Sequence, residues 1–351
     1  MNDNQTLFIM KKKLCCRCLT ESKTGYGNFN RCLIIAKSLK KNLIDIIFLI
    51  DNNPNIITKL KNEKFEYFII PNNTKKNTEH FFINNFMIKK EISTILIDMR
   101  EYGEIISKQL KKNGQKIILL DDVWSKKIYS DLFFNSTNIK TLKNYKKMNP
   151  SSKLFLGLKY LPIDKNFLKY KKKITDIKNK NFLNLVISMG GSDPNNLTYS
   201  ILESIKNIDK INICVIVGPM FQNNLKLNKL ILNQKNIKLI NSPKNFFKEL
   251  SKSDIAITNG GNTLFESIAL RIPTISIPAF KHEILYAKKF SDQHCIINLG
   301  FQQKNSKKIK LCVQQLISDI TLRKNLFVST NKIIDGNGIE RISNNIIKFL
   351  E

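Results

Sequence analysis

"NLVISMGGSDPNNLT" (184–198) is the stretch that decides the predicted fold. Its continuous apolar run is typical of a parallel β-strand that is covered on both faces. The two glycines after the run permit a tight turn, and Ser-Asp-Pro is typical of a helix start. The stretch "DIAITNGGNTLFES" (254–267) repeats the order of strand, glycine pair and helix. Both stretches therefore predict strand–turn–helix units of a parallel sheet.

The same alternation of short apolar runs and longer helical patterns extends along the chain. In the first half the predicted strands are 14–19, 44–51, 66–70, 93–99, 115–122 and 131–135. In the second half they are 184–191, 212–218, 237–241, 254–261, 274–278 and 295–300. The segment 144–181 between them is basic, contains two prolines and keeps no sustained period, which indicates a linker with a packing strand.

This pattern predicts an α/β protein with two Rossmann-like, doubly wound domains that face a cleft. The predicted boundaries are 1–150 for the N-terminal domain, 151–181 for the linker and 182–351 for the C-terminal domain. In such sheets ligands bind beyond the carboxyl ends of the strands.

The two glycine pairs of the C-terminal half are candidates for phosphate binding. Exposed amides at a helix start suit an anion, and glycine removes side chains from the path of a ligand. In the second stretch Glu266 lies one turn into the helix, where its carboxylate could accept both hydroxyls of a ribose. A glycine pair after a strand is also common as a plain tight turn, so both interpretations stay open. No Walker lysine follows either pair, so a P-loop is not expected. The dinucleotide fingerprint is also absent, since "GYGNFN" (25–30) has Asn30 where its third glycine belongs.

Composition excludes some classes of function. The 351 residues carry a formal net charge of +30, with lysines spread over the whole chain rather than clustered. We therefore expect no nucleic-acid partner, and only weak attraction to an anionic membrane surface. The chain lacks an apolar run of about 20 residues, and its N-terminus does not follow the order of a secretory signal, so we expect a cytoplasmic protein.

The seven cysteines show no metal-ligand spacing. "CCRC" (15–18) lies in an apolar, strand-like run, and no second ligand pair comes after it. We therefore expect reduced, mostly buried thiols and no metal site.

A third glycine-bearing stretch, "TGYGNFNRCLIIAKSLKK" (24–41), runs from the first predicted strand into an amphipathic helix. Together with "LLDDVWSKKIYSDLFFN", "LGLKYLPIDKNFL", "SMGGSDPNN" and "GGNTLFE", it resembles the MurG-like proteins of glycosyltransferase-B fold. The likeness is greatest to the UDP-2,4-diacetamido-2,4,6-trideoxy-β-L-altropyranose hydrolases of pseudaminic acid biosynthesis and to the related SpsG proteins. The matching segments cover about three quarters of the chain in the family's order.

The resemblance implies that water attacks the anomeric carbon of a UDP-sugar and that UDP leaves, without a cofactor. It places the nucleotide in the C-terminal domain, with Glu266 on the ribose and His282 beside the nucleotide. The other substrate-binding positions it implies there are Gly190, Gly191, Ser192, Asp193, Asn259, Gly260, Gly261, Asn262 and Thr263. In the N-terminal domain it implies Gly25, Gly27, Asn28 and Arg31, which match the family's G-x-G-H-x-x-R. Arg31 could pair with a phosphate or with a carboxylate of the N-terminal domain, or lie on the helix surface, and we slightly favour the surface.

Asn28 stands where the family has a histidine, its expected general base. An amide takes no proton near neutral pH, and general base catalysis contributes about 10²–10⁴-fold. Asp98, or the pair Asp121 and Asp122, could replace it, since both come at the ends of predicted strands. Alternatively, the protein is a glycosyltransferase that uses a UDP-sugar donor, or it binds a nucleotide-sugar without turnover. The sequence leaves these alternatives, the identity of the sugar and the oligomeric state open.

Overall fold

The computed structural model describes residues 12–20, 26–100, 102–120, 126–137, 139–140, 142–148 and 150–351. The chain forms two compact units. One is built from residues 12–20, 28–162 and 339–351, and the other from residues 26–27 and 163–338. Each unit contains one parallel sheet with helices packed on it.

The first unit has a seven-stranded sheet of order β3-β2-β1-β4-β5-β6-β7 in which every pair is parallel. Its strands are β1 (Lys13–Cys18), β2 (Asp45–Ile50), β3 (Glu66–Ile69), β4 (Thr94–Asp98), β5 (Lys116–Leu120), β6 (Leu132–Asn135) and β7 (Lys153–Leu156). Its helices are α1 (Gly27–Lys40), α2 (Pro54–Asn62), α3 (Glu79–Lys89), α4 (Tyr102–Lys112) and α5 (Leu142–Met148), together with the last helix, α13 (Gly338–Leu350).

The second unit has a six-stranded sheet of order β10-β9-β8-β11-β12-β13, again parallel throughout. Its strands are β8 (Leu183–Ser188), β9 (Ile211–Val217), β10 (Ile237–Asn241), β11 (Ile255–Thr258), β12 (Thr274–Ser276) and β13 (Ile297–Asn298). Its helices are α6 (Leu197–Ile205), α7 (Asn224–Ile231), α8 (Phe246–Ser251), α9 (Asn262–Ala269), α10 (Glu283–Asp292), α11 (Ser306–Ser318) and α12 (Ile320–Ser329).

Central strands are buried on both faces, which explains their unbroken apolar runs. Every residue of β4 and of β11 is buried. In the second unit the core includes Ile187 and Ile257, which pack with residues of α6 and α11. Each of the twelve predicted runs overlaps a strand, so the prediction of two doubly wound α/β domains is confirmed.

Apart from residues 26–27, the observed division of the chain differs from the predicted one in two places. The first unit continues through β7, which lies inside the predicted linker and pairs with β6. The chain also returns to the first unit in α13. There Lys116 lies over the ring of Phe349, and Arg341 donates to the carbonyl oxygen of Lys159. Helical periodicity shows that α13 has an apolar face but not which core covers that face.

Among the described residues, the helices fall short of the length and apolar character that crossing a bilayer would need.

Candidate nucleotide-sugar site

Each sheet has one place where its strand order reverses, between β1 and β4 in the first unit and between β8 and β11 in the second. Parallel sheets bind ligands outside the carboxyl ends of the strands at such a switch point. Both glycine pairs of the second unit come directly after these strands, Gly190 and Gly191 after β8, and Gly260 and Gly261 after β11. The sheet therefore brings the two predicted phosphate loops side by side.

Glycine is needed in the first pair because neighbouring loops approach this part of the chain closely. Gly190 has φ of +89°, and a Cβ placed on it would lie 3.0 Å from Nδ2 of Asn259. A Cβ placed on Gly218, at the end of β9, would lie 2.5 Å from the Cα of Gly191. The amide of Met220 also donates to the carbonyl oxygen of Gly191. Glycine at these positions thus lets the loops after β8, β9 and β11 touch.

The start of α6 is closed by Asp193, which comes two residues after that pair. Its carboxylate accepts hydrogen bonds from the amides of Leu197, at 2.9 Å, and Thr198, at 2.8 Å. Burial raises the pKa of Asp193, while the bonds from Thr198 and Leu197 act in the opposite direction. Asp193 thus acts at the helix start as its sequence predicted, and the chain supplies its own carboxylate to these two amides.

The second glycine pair is held by Glu283, the first residue of α10. The buried Glu283 carboxylate accepts from four donors: Nδ2 of Asn259 at 2.9 Å, and the amides of Gly260 at 3.1 Å, Ala279 at 2.7 Å and Phe280 at 3.3 Å. A Cβ on Gly260 would lie 2.6 Å from Cβ of Glu283, and one on Gly261 would lie 2.7 Å from its Oε1. Any larger residue in the pair would displace Glu283.

In contrast to α6, helix α9 starts without a side-chain cap. Gly261 is its N-cap residue and has no side chain that could accept a bond. The amides of Leu264 and Phe265 donate to the carbonyl oxygen of Gly261. Within the described part of the chain, the amides of Asn262 and Thr263 make no hydrogen bond. The positive end of the α9 dipole is thus open to an anion.

Glu266 lies one turn into α9 and is partly buried. Desolvation by the surrounding protein raises the pKa of its carboxyl to about 8. A carboxyl in this state both donates and accepts hydrogen bonds, which suits a pair of hydroxyls.

His282 immediately precedes Glu283, so it belongs to the segment that Glu283 ties to the second glycine pair. Its ring stacks on Phe280, with centroids 5.8 Å apart, and meets the edge of Tyr286 at 6.1 Å. The side chain is partly exposed. His282 thus presents a flat aromatic surface beside the loop after β12.

In the first unit, the switch point is occupied by one carboxylate and its partners. Asp98 is the last residue of β4 and is buried. Its Oδ1 accepts from Nδ2 of Asn28 at 2.6 Å and from Nη2 of Arg31 at 2.7 Å, and its Oδ2 accepts from Nε of Arg31 at 2.7 Å. Both oxygens are therefore engaged by residues of α1.

This geometry revises two expectations for the first unit. The surface placement of Arg31 is wrong, because the arginine forms a two-pronged ion pair with Asp98. Asp98 would have to leave that ion pair before it could take a proton, so its use as a general base is disfavoured. Gly27 is the first residue of α1, whereas Gly25, Asp121 and Asp122 lie outside the described residues.

Comparison with known proteins shows what the chain is similar to. Residues 178–332 match the glycosyltransferase family 28 C-terminal domain. Spore coat polysaccharide biosynthesis protein SpsG of Bacillus subtilis is 22% identical over 91% of this chain and 93% of its own length. The chain is thus similar to SpsG and has the glycosyltransferase-B fold.

Two further relatives are longer than the chain itself. An uncharacterised protein of Methanocaldococcus jannaschii is 31% identical over 77% of the chain and 57% of its own length. The pseudaminic acid cytidylyltransferase and UDP-2,4-diacetamido-2,4,6-trideoxy-β-L-altropyranose hydrolase of Helicobacter pylori is 23% identical over 80% of the chain. The chain spans 47% of that protein's length.

Solved structures confirm the fold of the chain. MurG of Acinetobacter baumannii superposes with a TM-score of 0.69 at 14% identity, covering 96% of the chain and 99% of MurG. UDP-GlcNAc 2-epimerase of Neisseria meningitidis, bound to UDP-GlcNAc, gives a TM-score of 0.67 at 15% identity. That comparison covers 96% of this chain and all of the epimerase chain.

Sequence reasoning missed Glu283, although it connects the predicted residues Asn259 and Gly260. One available signal was its position at the start of a helix, five residues after Pro278, where an acidic side chain is favourable. Asn259 and Gly260 are more than twenty residues earlier in the chain, so their pairing with Glu283 was beyond any local pattern.

Proposed function

We propose that the chain binds a UDP-sugar in its second unit and hydrolyses it, releasing UDP. The observation that carries the proposal is the uncapped start of α9. Its free amides at Asn262 and Thr263 lie directly after a glycine turn that Glu283 holds in place. A diphosphate at this position would accept hydrogen bonds from these two amides, which have no acceptor among the described residues.

Glu266 is assigned to the ribose in this proposal. It lies one turn along α9 from the proposed diphosphate, and its raised pKa makes it both a donor and an acceptor near neutral pH. Gly190, Gly191 and Ser192 would form the neighbouring wall of the site, and His282 the aromatic surface beside it. Asp193 caps α6 and is assigned to that role rather than to the substrate.

In the proposed reaction a bond forms between the anomeric carbon and a water oxygen, and the bond from that carbon to the diphosphate oxygen breaks. The negative charge that develops on the leaving diphosphate is stabilised by the α9 amides and dipole. The attacking water loses its proton to solvent. Asn28 donates to Asp98 through its amide nitrogen, and its amide oxygen stays an acceptor.

Asn28 also motivates the second candidate, a glycosyltransferase that uses a UDP-sugar donor, and the third, a nucleotide-sugar binding protein without turnover. In the glycosyltransferase the attacking oxygen comes from a sugar acceptor instead of water. The Asn28–Asp98–Arg31 cluster has both carboxylate oxygens engaged, so it offers water no ready base.

Phosphorus NMR with a panel of UDP-sugars, including the diacetamido-trideoxy altrose derivative, tests the proposal. Catalytic release of UDP without an acceptor is the expected result. Glu266→Ala should raise the KM, whereas Glu203→Ala, on the exposed surface of α6, serves as the matched control. Shifted nucleotide signals without UDP release would reject hydrolysis and leave a transferase or a binding protein. Unshifted signals with every UDP-sugar would reject the nucleotide site itself.

A further inference from the structure

Three cysteine sulfurs meet beneath α1 in the first unit. Cys16 and Cys18 lie two residues apart on β1 and so point to the same face of the sheet. Cys32 projects from α1. The three Sγ atoms all lie within 4.8 Å of one another. Sequence spacing did not predict this cluster, because its third member comes from a different element.

The cluster is isolated from solvent and from the neighbouring cysteine of β1. Cys16, Cys18 and Cys32 are all fully buried. Cys15, on the same strand, points to the opposite face and packs with residues of α3 and α4. Next to the cluster, Oδ2 of Asp98 lies 3.8 Å from Sγ of Cys32, and it already accepts from Arg31.

The three sulfurs lie close enough together for one ion to contact all of them. Because the side chains are buried, water does not compete for that position. The cluster therefore offers three sulfur ligands to a single point. Such a group attracts a soft cation.

We propose that Cys16, Cys18 and Cys32 form a three-sulfur binding site for a soft monovalent cation of the Cu(I) class.

The geometry fits this class better than it fits zinc. A metal ion bonded at about 2.3 Å to three sulfurs in one plane needs sulfurs about 4.0 Å apart, inside the 4.8 Å limit observed. Structural zinc takes four ligands. The neighbouring carboxylate that could supply a fourth, Asp98, is held by Arg31 and Asn28, and recruiting it would break those contacts. Thiolates select Cu(I), which accepts three ligands. Each thiol that becomes a ligand loses its proton to the buffer.

Competition for Cu(I) against a chelator such as bicinchoninate, with the reduced full-length chain under anaerobic conditions, tests the proposal. Because the site is closed, equilibration proceeds through local opening and is followed over hours. The wild-type chain is expected to take up one tightly held equivalent. Cys32→Ala should weaken that uptake at least ~100-fold, because losing a ligand costs no less than losing the outer-shell partner of a ligand, which is about 10–100-fold. Cys15→Ala, a buried cysteine on the other face of the same strand, should bind as the wild type does.

Two further measurements distinguish a defined Cu(I) site from nonspecific binding of copper to cysteine thiols. Cu(I) should raise the thermal midpoint of the wild type and of Cys15→Ala but not of Cys32→Ala. X-ray absorption at the copper edge should show three sulfur neighbours and no oxygen. If Cys32→Ala does not fold, Cys18→Ala takes its place. Equal Cu(I) uptake by the variants and the wild type, no uptake at all, or tighter zinc binding with an oxygen neighbour would overturn the proposal.

Discussion

The two glycine pairs of the second unit look alike in sequence but differ in the helix start that each precedes. After Gly190 and Gly191, Asp193 folds back and occupies the amides at the start of α6. After Gly260 and Gly261, the acidic side chain comes from α10, and Glu283 binds the turn itself rather than the amides at the start of α9. One helix start is therefore closed and the other is open.

This difference shows that the glycines alone do not make a phosphate site. Both pairs are needed for close backbone contacts, which is the plain structural reason for glycine. A binding site is distinguished by helix amides that still lack a partner. Four measurements test that distinction, and the largest effect is expected at Glu283.

Glu283→Ala should strongly destabilise the turn formed by Gly260 and Gly261. It removes the acceptor of three amides and one side-chain donor, leaving buried polar groups unsatisfied, at a cost of about 4 kcal/mol in the free energy of unfolding. Urea denaturation measures this loss. Glu203→Ala, which breaks only a surface pair with Lys206, should change stability by less than ~0.5 kcal/mol. Equal effects of the two substitutions would show that Glu283 does not hold the turn.

The pH dependence of stability should report the state of Glu266. Its folded pKa, about 8, is above its unfolded value, so the folded chain keeps a proton that the unfolded chain releases. The wild type should therefore lose stability relative to Glu266→Gln as the pH rises from about 5 to 8. Allowing for partial solvent exposure, the loss is about 3 kcal/mol. Parallel stability curves for the two chains would place Glu266 in a solvated environment.

Glu266→Ala should weaken UDP binding about tenfold or more, since a hydrogen-bonding carboxyl is lost from the open helix. Calorimetric titration of the folded variant measures the change. Its stability at pH 7 should not fall, because the removed carboxyl is desolvated and gains no charge partner. Unchanged UDP affinity would remove the assignment of Glu266 to the ribose.

Asp193→Ala should have the smallest effect, and on stability alone. Loss of a helix cap costs about 1 kcal/mol, and the buried amides of Leu197 and Thr198 are the groups left without a partner. UDP affinity should change less than about twofold, because Asp193 is assigned to capping. A gain in UDP affinity in this variant would mean that the start of α6 competes for the diphosphate once it is opened.

Much of the architecture could be predicted without coordinates. Continuous apolar runs such as 184–189 and 254–258 indicate strands covered on both faces, and their alternation with helical patterns indicates two parallel sheets. The glycine pairs, the helix starts and the place of Glu266 one turn into α9 are all readable from spacing along the chain. These features depend on neighbours within about ten residues, which is the range over which a sequence pattern carries physical information.

Contacts between distant parts of the chain needed the folded structure. The bonds from Asn28 and Arg31 to Asp98, the binding of Glu283 to Gly260, and the meeting of Cys32 with the thiols of β1 each join different elements. The return of α13 to the first unit is of the same kind. Local pattern predicts that a strand or helix forms and which face is apolar, but partners are chosen by how the elements pack. Packing brings together donors and acceptors that lie 70 or even 182 residues apart, and no period in the sequence records it.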